Sequence, residues 1–364
     1  MENSIRTYGQ RDRRIWIDVC KFFAIMGVLI NHVNGILYTN QFFAWLSFYS
    51  VSLFILVSGY NTFLSYNRKP YGIYKVVKKC NGMIIPYAVA VLVFDIVSDG
   101  YFSLQDYLYM LVHFDASEPH YYVLLYLQLV ILGPFIANII SSNGRITSWL
   151  KYILVLTVSI IISIFTTNHT DLLGVYGGGG RLAGGSYLIL FVVGMIIAKE
   201  SKNFFAIGRK SLFLIIVLVI AVLCWVHFIF LNKLLIDSKL PLGAGFNPPS
   251  ISLGLYATLL FLLFYFIDIF AESFGVCKYL NLLVRPLTFI GGHTLYIFLY
   301  HRLFLDYINV MICSRNTMFS EMYNNPWIRR IWILIIMIFG PILIEVVAKR
   351  ISKNIGSIYL GGKP

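Results

Sequence analysis

The sequence predicts an all-α membrane protein: a polytopic bundle of about ten transmembrane helices with both termini in the cytoplasm. Three observations point there. Of 364 residues, 59% are hydrophobic and 12% are charged, where a soluble globular domain carries about 25% charged residues. The apolar runs follow one another too closely to leave room for a soluble domain. The 29 Lys and Arg residues also divide unevenly between the two sides that alternate along those runs. The net charge of +13 therefore belongs to helix flanks and gives no sign of nucleic-acid binding. The chain reads as a single domain over 1–364, with its bundle at about 15–348.

Ten apolar segments can be drawn, at roughly 15–37, 42–64, 83–99, 119–140, 151–167, 182–198, 211–231, 250–270, 286–308 and 328–348. The N-terminal flank, the even-numbered loops and the C-terminal tail hold 22 of the 29 basic residues. The positive-inside rule puts those parts in the cytoplasm. The first segment has no cleavage site after it and is expected to be retained.

That first segment, Ile15–Leu37, carries Asp18, Lys21 and His32. At about 100° per residue, Lys21 and His32 come within roughly 20° of each other, and Asp18 lies on the same face. Lys21 and His32 are ~16 Å apart along the axis, about half of a hydrocarbon core. Such a stripe must face a protein interior or a watery cavity. It is either a buried polar packing patch or the seat of chemistry, and three ionisable residues on one face exceed what packing needs. The charge count puts His32 toward the outer leaflet and Lys21 toward the cytoplasm.

The second segment contains Ser58 and Gly59, a small pair that lets another backbone approach. The next loop holds Lys75, Lys78 and Lys79 within one helical turn. They have two readings: anchoring to anionic headgroups, or a cradle for the phosphates of a cytoplasmic ligand. Pro86 either opens the third helix or kinks it. Residues 103–114 suit a short interfacial helix. Asp106, His113, Asp115, Glu118 and His120 gather at the outer mouth. Solvated loop charge accounts for four of them, whereas His120 opens an aromatic-rich span.

Gly177–Gly180 leaves the fifth segment's outer loop either mobile or open to a ligand at its backbone. No Gly-Lys-Ser/Thr ending follows, which excludes a nucleotide-binding loop of that type. Arg181 beside it could contact a sugar or an anion. Residues 234–250, rich in Pro and Gly, read as an ordered outer turn. In the ninth segment His293 and His301 differ by about 80° around the helix, which does not suit two ligands of one metal. His301 is either a satisfied hydrogen bonder or functional. None of the five cysteines has a metal-ligand spacing, and no metal is expected.

Taken together, these runs resemble the acyltransferase 3 family, integral-membrane acyltransferases of bacterial surface glycans. IDVCKFFAIMGVLINH has that family's opening pattern: an acid, a base one turn later and a His eleven positions on. Lys21 stands where Arg is commoner. LFILVSGY is similar to its Phe-rich segment ending in Ser-Gly-aromatic. HYYVLLYLQLVILGP resembles the segment opening His-x-Trp-Phe, with Tyr122 at the Trp place. GGHTLYIFLYH resembles the late segment that ends in His, here His301. Before Ile-Pro-Tyr the family often has two Arg; here Lys79 matches the first and Gly82 stands at the second.

The resemblance implies transfer of an acyl group, most often acetyl from acetyl-CoA, to a hydroxyl of a cell-surface polysaccharide or its lipid-linked precursor. The protein would be a multi-pass protein of the cell membrane, with lipids and a glycan acceptor as its partners. His32 would be the catalytic base, or would carry the acyl group itself. Asp18, Lys21, Lys75, Lys78 and Lys79 would support the donor or the active site, and His120, Arg181 and His301 would shape the acceptor pocket. Asp18 lies ~21 Å from His32 along the axis and cannot orient it as a triad member would; it pairs better with Lys21. Two rival classes are a transporter of a sugar or ion, which would show paired halves, and a catalytically inactive interaction protein. No internal repeat is visible.

Overall fold

The computed structural model describes residues 15–39, 47–69, 72–142, 147–169, 179–205, 207–231, 251–276, 279, 282–311 and 324–359. These residues are almost wholly helical, with one isolated bridge between Asn34 and Tyr38. The predicted turn at 234–250 lies outside them, as do Gly177 and Gly178.

Helix α1 runs Ile15–His32 and buries Trp16, Cys20, Ala24, Val28 and other residues of its apolar face. It is shorter than the expected 15–37 segment. Asn34 and Gly35 turn the chain, with Gly35 at φ +81°, and the Tyr38 hydroxyl donates to the Ile30 carbonyl at 2.7 Å. His32 is therefore the last residue of the helix and sits at its rim.

Helix α2 (Ser50–Arg68) packs backbone to backbone on a later helix, Tyr187–Phe205. An ideal Cβ on Gly59 would sit 2.0 Å from the Phe191 carbonyl oxygen, and one on Gly194 would sit 2.3 Å from that of Leu56. The small Ser58-Gly59 pair does what its composition suggested.

Helix α3 (Ile73–Asp99) starts ten residues earlier than the expected third segment, because Tyr74 to Met83 hold no helix breaker except Gly82. Pro86 lies inside the helix, not in its first turn, and Gly100 ends it in the left-handed region at φ +77°. The expected interfacial helix is α4 (Leu104–His113), which buries no residue. Its N-cap Ser103 accepts from the Asp106 N–H at 3.3 Å. Asp95 and Tyr87 of α3 fasten it: Asp95 accepts the Ser103 N–H at 3.1 Å, and the Tyr87 hydroxyl donates to the Met110 carbonyl at 3.1 Å.

A 3-10 turn, Glu118–His120, leads into α5 (Tyr121–Ser141). The last carbonyls of α5 are capped by lysines, a favourable end for a cation: Lys199 donates to Ile140 at 2.6 Å, and Lys151 donates to Ser142. Then follow α6 (Ser148–Asn168), a 3-10 segment at Gly179–Gly184, α7 (Tyr187–Phe205), α8 (Arg209–Leu231) and α9 (Ile251–Ser273). The ninth predicted segment is two helices, α10 (Arg285–Gly292) and α11 (Thr294–Leu303), broken at His293 and continued by a π-helix, Phe304–Ile308. Helix α12 runs Pro326–Tyr359.

Among the described residues, seven helices are long and apolar enough to cross a membrane. They match seven of the ten predicted segments, and α2, α8 and the broken α10–α11 pair occupy the other three. The core is aromatic: Trp16 packs edge-on to Tyr60, Phe261 and Tyr265 with centroids 5.2–5.3 Å apart. The outward faces of α6 and α8 present Ile153, Ile161, Phe165, Leu214, Leu218 and Trp225. Such an apolar exterior suits a lipid solvent.

Candidate active site

The end of α1, the turn before α5 and the end of α11 meet at one rim of the bundle. Three helices that the sequence counts as first, fourth and ninth thereby bring His32, Glu118 and His301 together. The His32 and His301 rings lie 5.0 Å apart between centroids, tilted by 47°. His32 Nδ1 is 3.7 Å from Glu118 Oε2. The His32 side chain is 13% exposed and that of Glu118 62%, so the imidazole is sheltered while the carboxylate beside it faces the opening.

His120 holds this turn in place. It is 0% exposed, and Nε2 lies 3.2 Å from the Leu299 carbonyl oxygen. A carbonyl only accepts, so Nε2 carries the proton. Tyr87 and Phe94 present their faces or edges to the ring, each with a centroid 5.3 Å away. His301 bonds the two carbonyls just before: its Nδ1 is 2.9 Å from those of Ile297 and Phe298. Three successive carbonyls of α11 thus accept from imidazoles, immediately ahead of the π-helix. Interruptions of that kind recur at functional sites. Arg302 bonds Asp306 across the junction at 2.9 Å. Phe298 and Tyr122 line the flank, with centroids 4.9 Å apart.

At the other end of α1, Lys21 Nζ lies 3.3 Å from Asp18 Oδ1, the pairing the spacing suggested. Asp18 is buried. Gly291 of α10 presses on its backbone so closely that a Cβ would meet the Asp18 carbonyl oxygen at 1.9 Å. Lys75, Lys78 and Lys79 lie on the first turns of α3. Lys75 donates to the Ser65 carbonyl at 3.4 Å, and Lys78 is exposed. Arg181 is buried, with its guanidinium 3.6 Å over the Tyr121 ring, one residue from His120. Among the described residues, no group of three His, Cys, Asp or Glu could hold a metal ion.

The arrangement can take a proton from a hydroxyl. An imidazole is the usual general base, and a carboxylate within reach favours the imidazolium that forms. The sequence reading named His32 and His301 but left Glu118 among the solvated loop charges, and it passed over Arg302 and Asp306. The one available signal was Glu118's place two residues ahead of His120.

An acyltransferase 3 family model, described as an acyltransferase domain, matches residues 14–346. No curated protein and no solved structure matches.

Proposed function

Since the chain belongs to the acyltransferase 3 family and is a membrane acyltransferase, we propose that it is a bacterial enzyme of O-acetylation. It would transfer acetyl from acetyl-CoA, or another acyl group from its coenzyme A thioester, to a hydroxyl of a cell-surface polysaccharide or of its lipid-linked precursor. The observation that carries this reading is the approach of Glu118 to His32 at one rim of the bundle, with the Lys21–Asp18 pair at the other end of the same helix. The acceptor hydroxyl gives its proton to His32. Its oxygen attacks the thioester carbonyl, the C–S bond breaks, and the leaving sulfur takes the proton back. Glu118 stabilises the imidazolium between those events. If His32 carries the acyl group first, a burst of acyl-enzyme precedes steady turnover.

Labelled acetyl-CoA, purified protein in vesicles and candidate glycans test the reading. Alkali-labile label in a glycan supports it. Label that never leaves the donor, across glycans from the protein's own envelope, counts against it.

The donor end rests on the basic turn. Replacing Lys75, Lys78 and Lys79 together with Gln is expected to weaken coenzyme A binding by about tenfold or more, since each charge-assisted phosphate contact is worth roughly 1.5–3 kcal/mol. Titration calorimetry on the purified variant reads this directly. Unchanged affinity in a folded variant would reduce the cluster to headgroup anchoring.

The proposal includes ten spans in the cell membrane with both termini cytoplasmic, which puts His32 at the outer face. The 22-to-7 split of basic residues motivates it. Reporter fusions at Lys202 and Lys363 should read cytoplasmic, and one at Pro241 external. A cytoplasmic signal at Pro241 would overturn the ten-span arrangement.

A further inference from the structure

His301 has a fixed tautomer. Its Nδ1 sits 2.9 Å from two backbone carbonyls, Ile297 and Phe298, which can only accept. The proton is therefore on Nδ1, and Nε2 keeps a lone pair. That lone pair is enclosed and without a hydrogen-bond partner, on a residue that is 0% exposed. Enclosed acceptors left without a donor are costly and uncommon. The His32 ring lies beside that of His301, 5.0 Å away between centroids.

We propose that His301 is a positioning residue for the acyl transfer: its Nε2 lone pair accepts a hydrogen bond from the His32 ring when His32 holds the proton taken from the acceptor hydroxyl. The inference rests on the reading of His32 as the base. Because Nε2 is closed to solvent, it is closed to an acceptor hydroxyl as well, so His301 acts through His32. The proton inventory balances. The acceptor O–H bond breaks and an N–H forms on His32. The ester C–O bond forms, the thioester C–S bond breaks, and its electron pair leaves on sulfur, which recovers the proton from His32. His301 gains and loses none, since its own N–H stays on the α11 carbonyls. Around His32 the Glu118 carboxylate, 3.7 Å away, favours the imidazolium. Arg302 opposes it but is itself paired with Asp306. A small turn of the two rings would make this bond, and a buried neutral acceptor adds stabilisation when the charge appears.

The test compares His301→Phe, which keeps a ring and removes the lone pair, with His301→Gln, which keeps an acceptor oxygen. Transfer of labelled acetyl is measured in membranes at equal protein abundance, with His32→Ala assayed alongside. His301→Phe should lower kcat by roughly 10- to 100-fold, the worth of a hydrogen bond to a charged group, with the acceptor KM unchanged and His301→Gln recovering part of the loss. A raised acceptor KM at unchanged kcat, or full kcat in His301→Phe, overturns the inference. If His32→Ala retains activity, the underlying reading fails. If it is inactive while His301→Phe is normal, only the inference fails. Should His301→Phe not accumulate, nitrogen NMR of histidine-labelled wild-type protein decides: Nδ1 protonated and Nε2 bare is required, and the opposite tautomer refutes it.

Discussion

Gly59→Leu is expected to remove the protein from the membrane fraction. Gly59 and Gly194 form the tightest seam between α2 and α7, and the atoms they meet are backbone carbonyls, not flexible side-chain ends. A Cβ on Gly59 would already lie 2.0 Å from the Phe191 oxygen, so a leucine can be housed only by parting the two helices. Overpacking a dense interior costs about 1–3 kcal/mol and at times more, and forced separation of two helices belongs at the upper end. Against a total stability of about 5–15 kcal/mol that is a large fraction. Gly59→Ala should be intermediate. Gly82→Ala is the control, because a Cβ there meets nothing within 4 Å. Quantitative detection in washed membranes, with thermal melting in detergent, reads the series. Wild-type abundance of Gly59→Leu would mean that α2 and α7 do not meet at this seam.

That seam shows what a single sequence can carry. Ser58-Gly59 was legible as a place where a backbone comes close, because small residues in an apolar helix have that use. Its partner, Gly194 on α7, was not, since nothing local ties the two segments. The same division runs through the candidate site. Asp18, Lys21 and His32 share one helix, so helical period alone puts them on one face and sets their spacing along the axis. The Lys21–Asp18 pair follows from that period and is present at 3.3 Å. Glu118 belongs to a different element, and only the packing of the turn before α5 against α1 brings it to His32. Read along the chain it is one more acidic residue in a loop, and its exposed side chain looks the part. The docking residue, His120, was singled out for opening an aromatic span, but its bond to Leu299 depends on α11 lying alongside. The end of α1 at His32 was blurred for a local reason. Asn34 and Gly35 turn the chain inside a run that hydropathy alone extends to Leu37.

His32→Ala is expected to abolish detectable glycan acylation while the protein still accumulates in the membrane. The side chain sits at the end of α1 and is largely sheltered, but its removal leaves a gap at a rim and not a hole in the aromatic core around Trp16. Its chemical loss is far larger. Without the imidazole the proposed base is gone, and removing a general base costs about 10²- to 10⁴-fold in rate. If His32 also carries the acyl group, the loss is at least as great.

The most direct measurement is therefore the rate of labelled acetyl transfer to glycan by His32→Ala and wild type, at equal membrane abundance and saturating donor. A fall of about a hundredfold or more is the predicted result. A rate within about threefold of wild type would rule out His32 as base or acyl carrier, because losing either role costs much more than that.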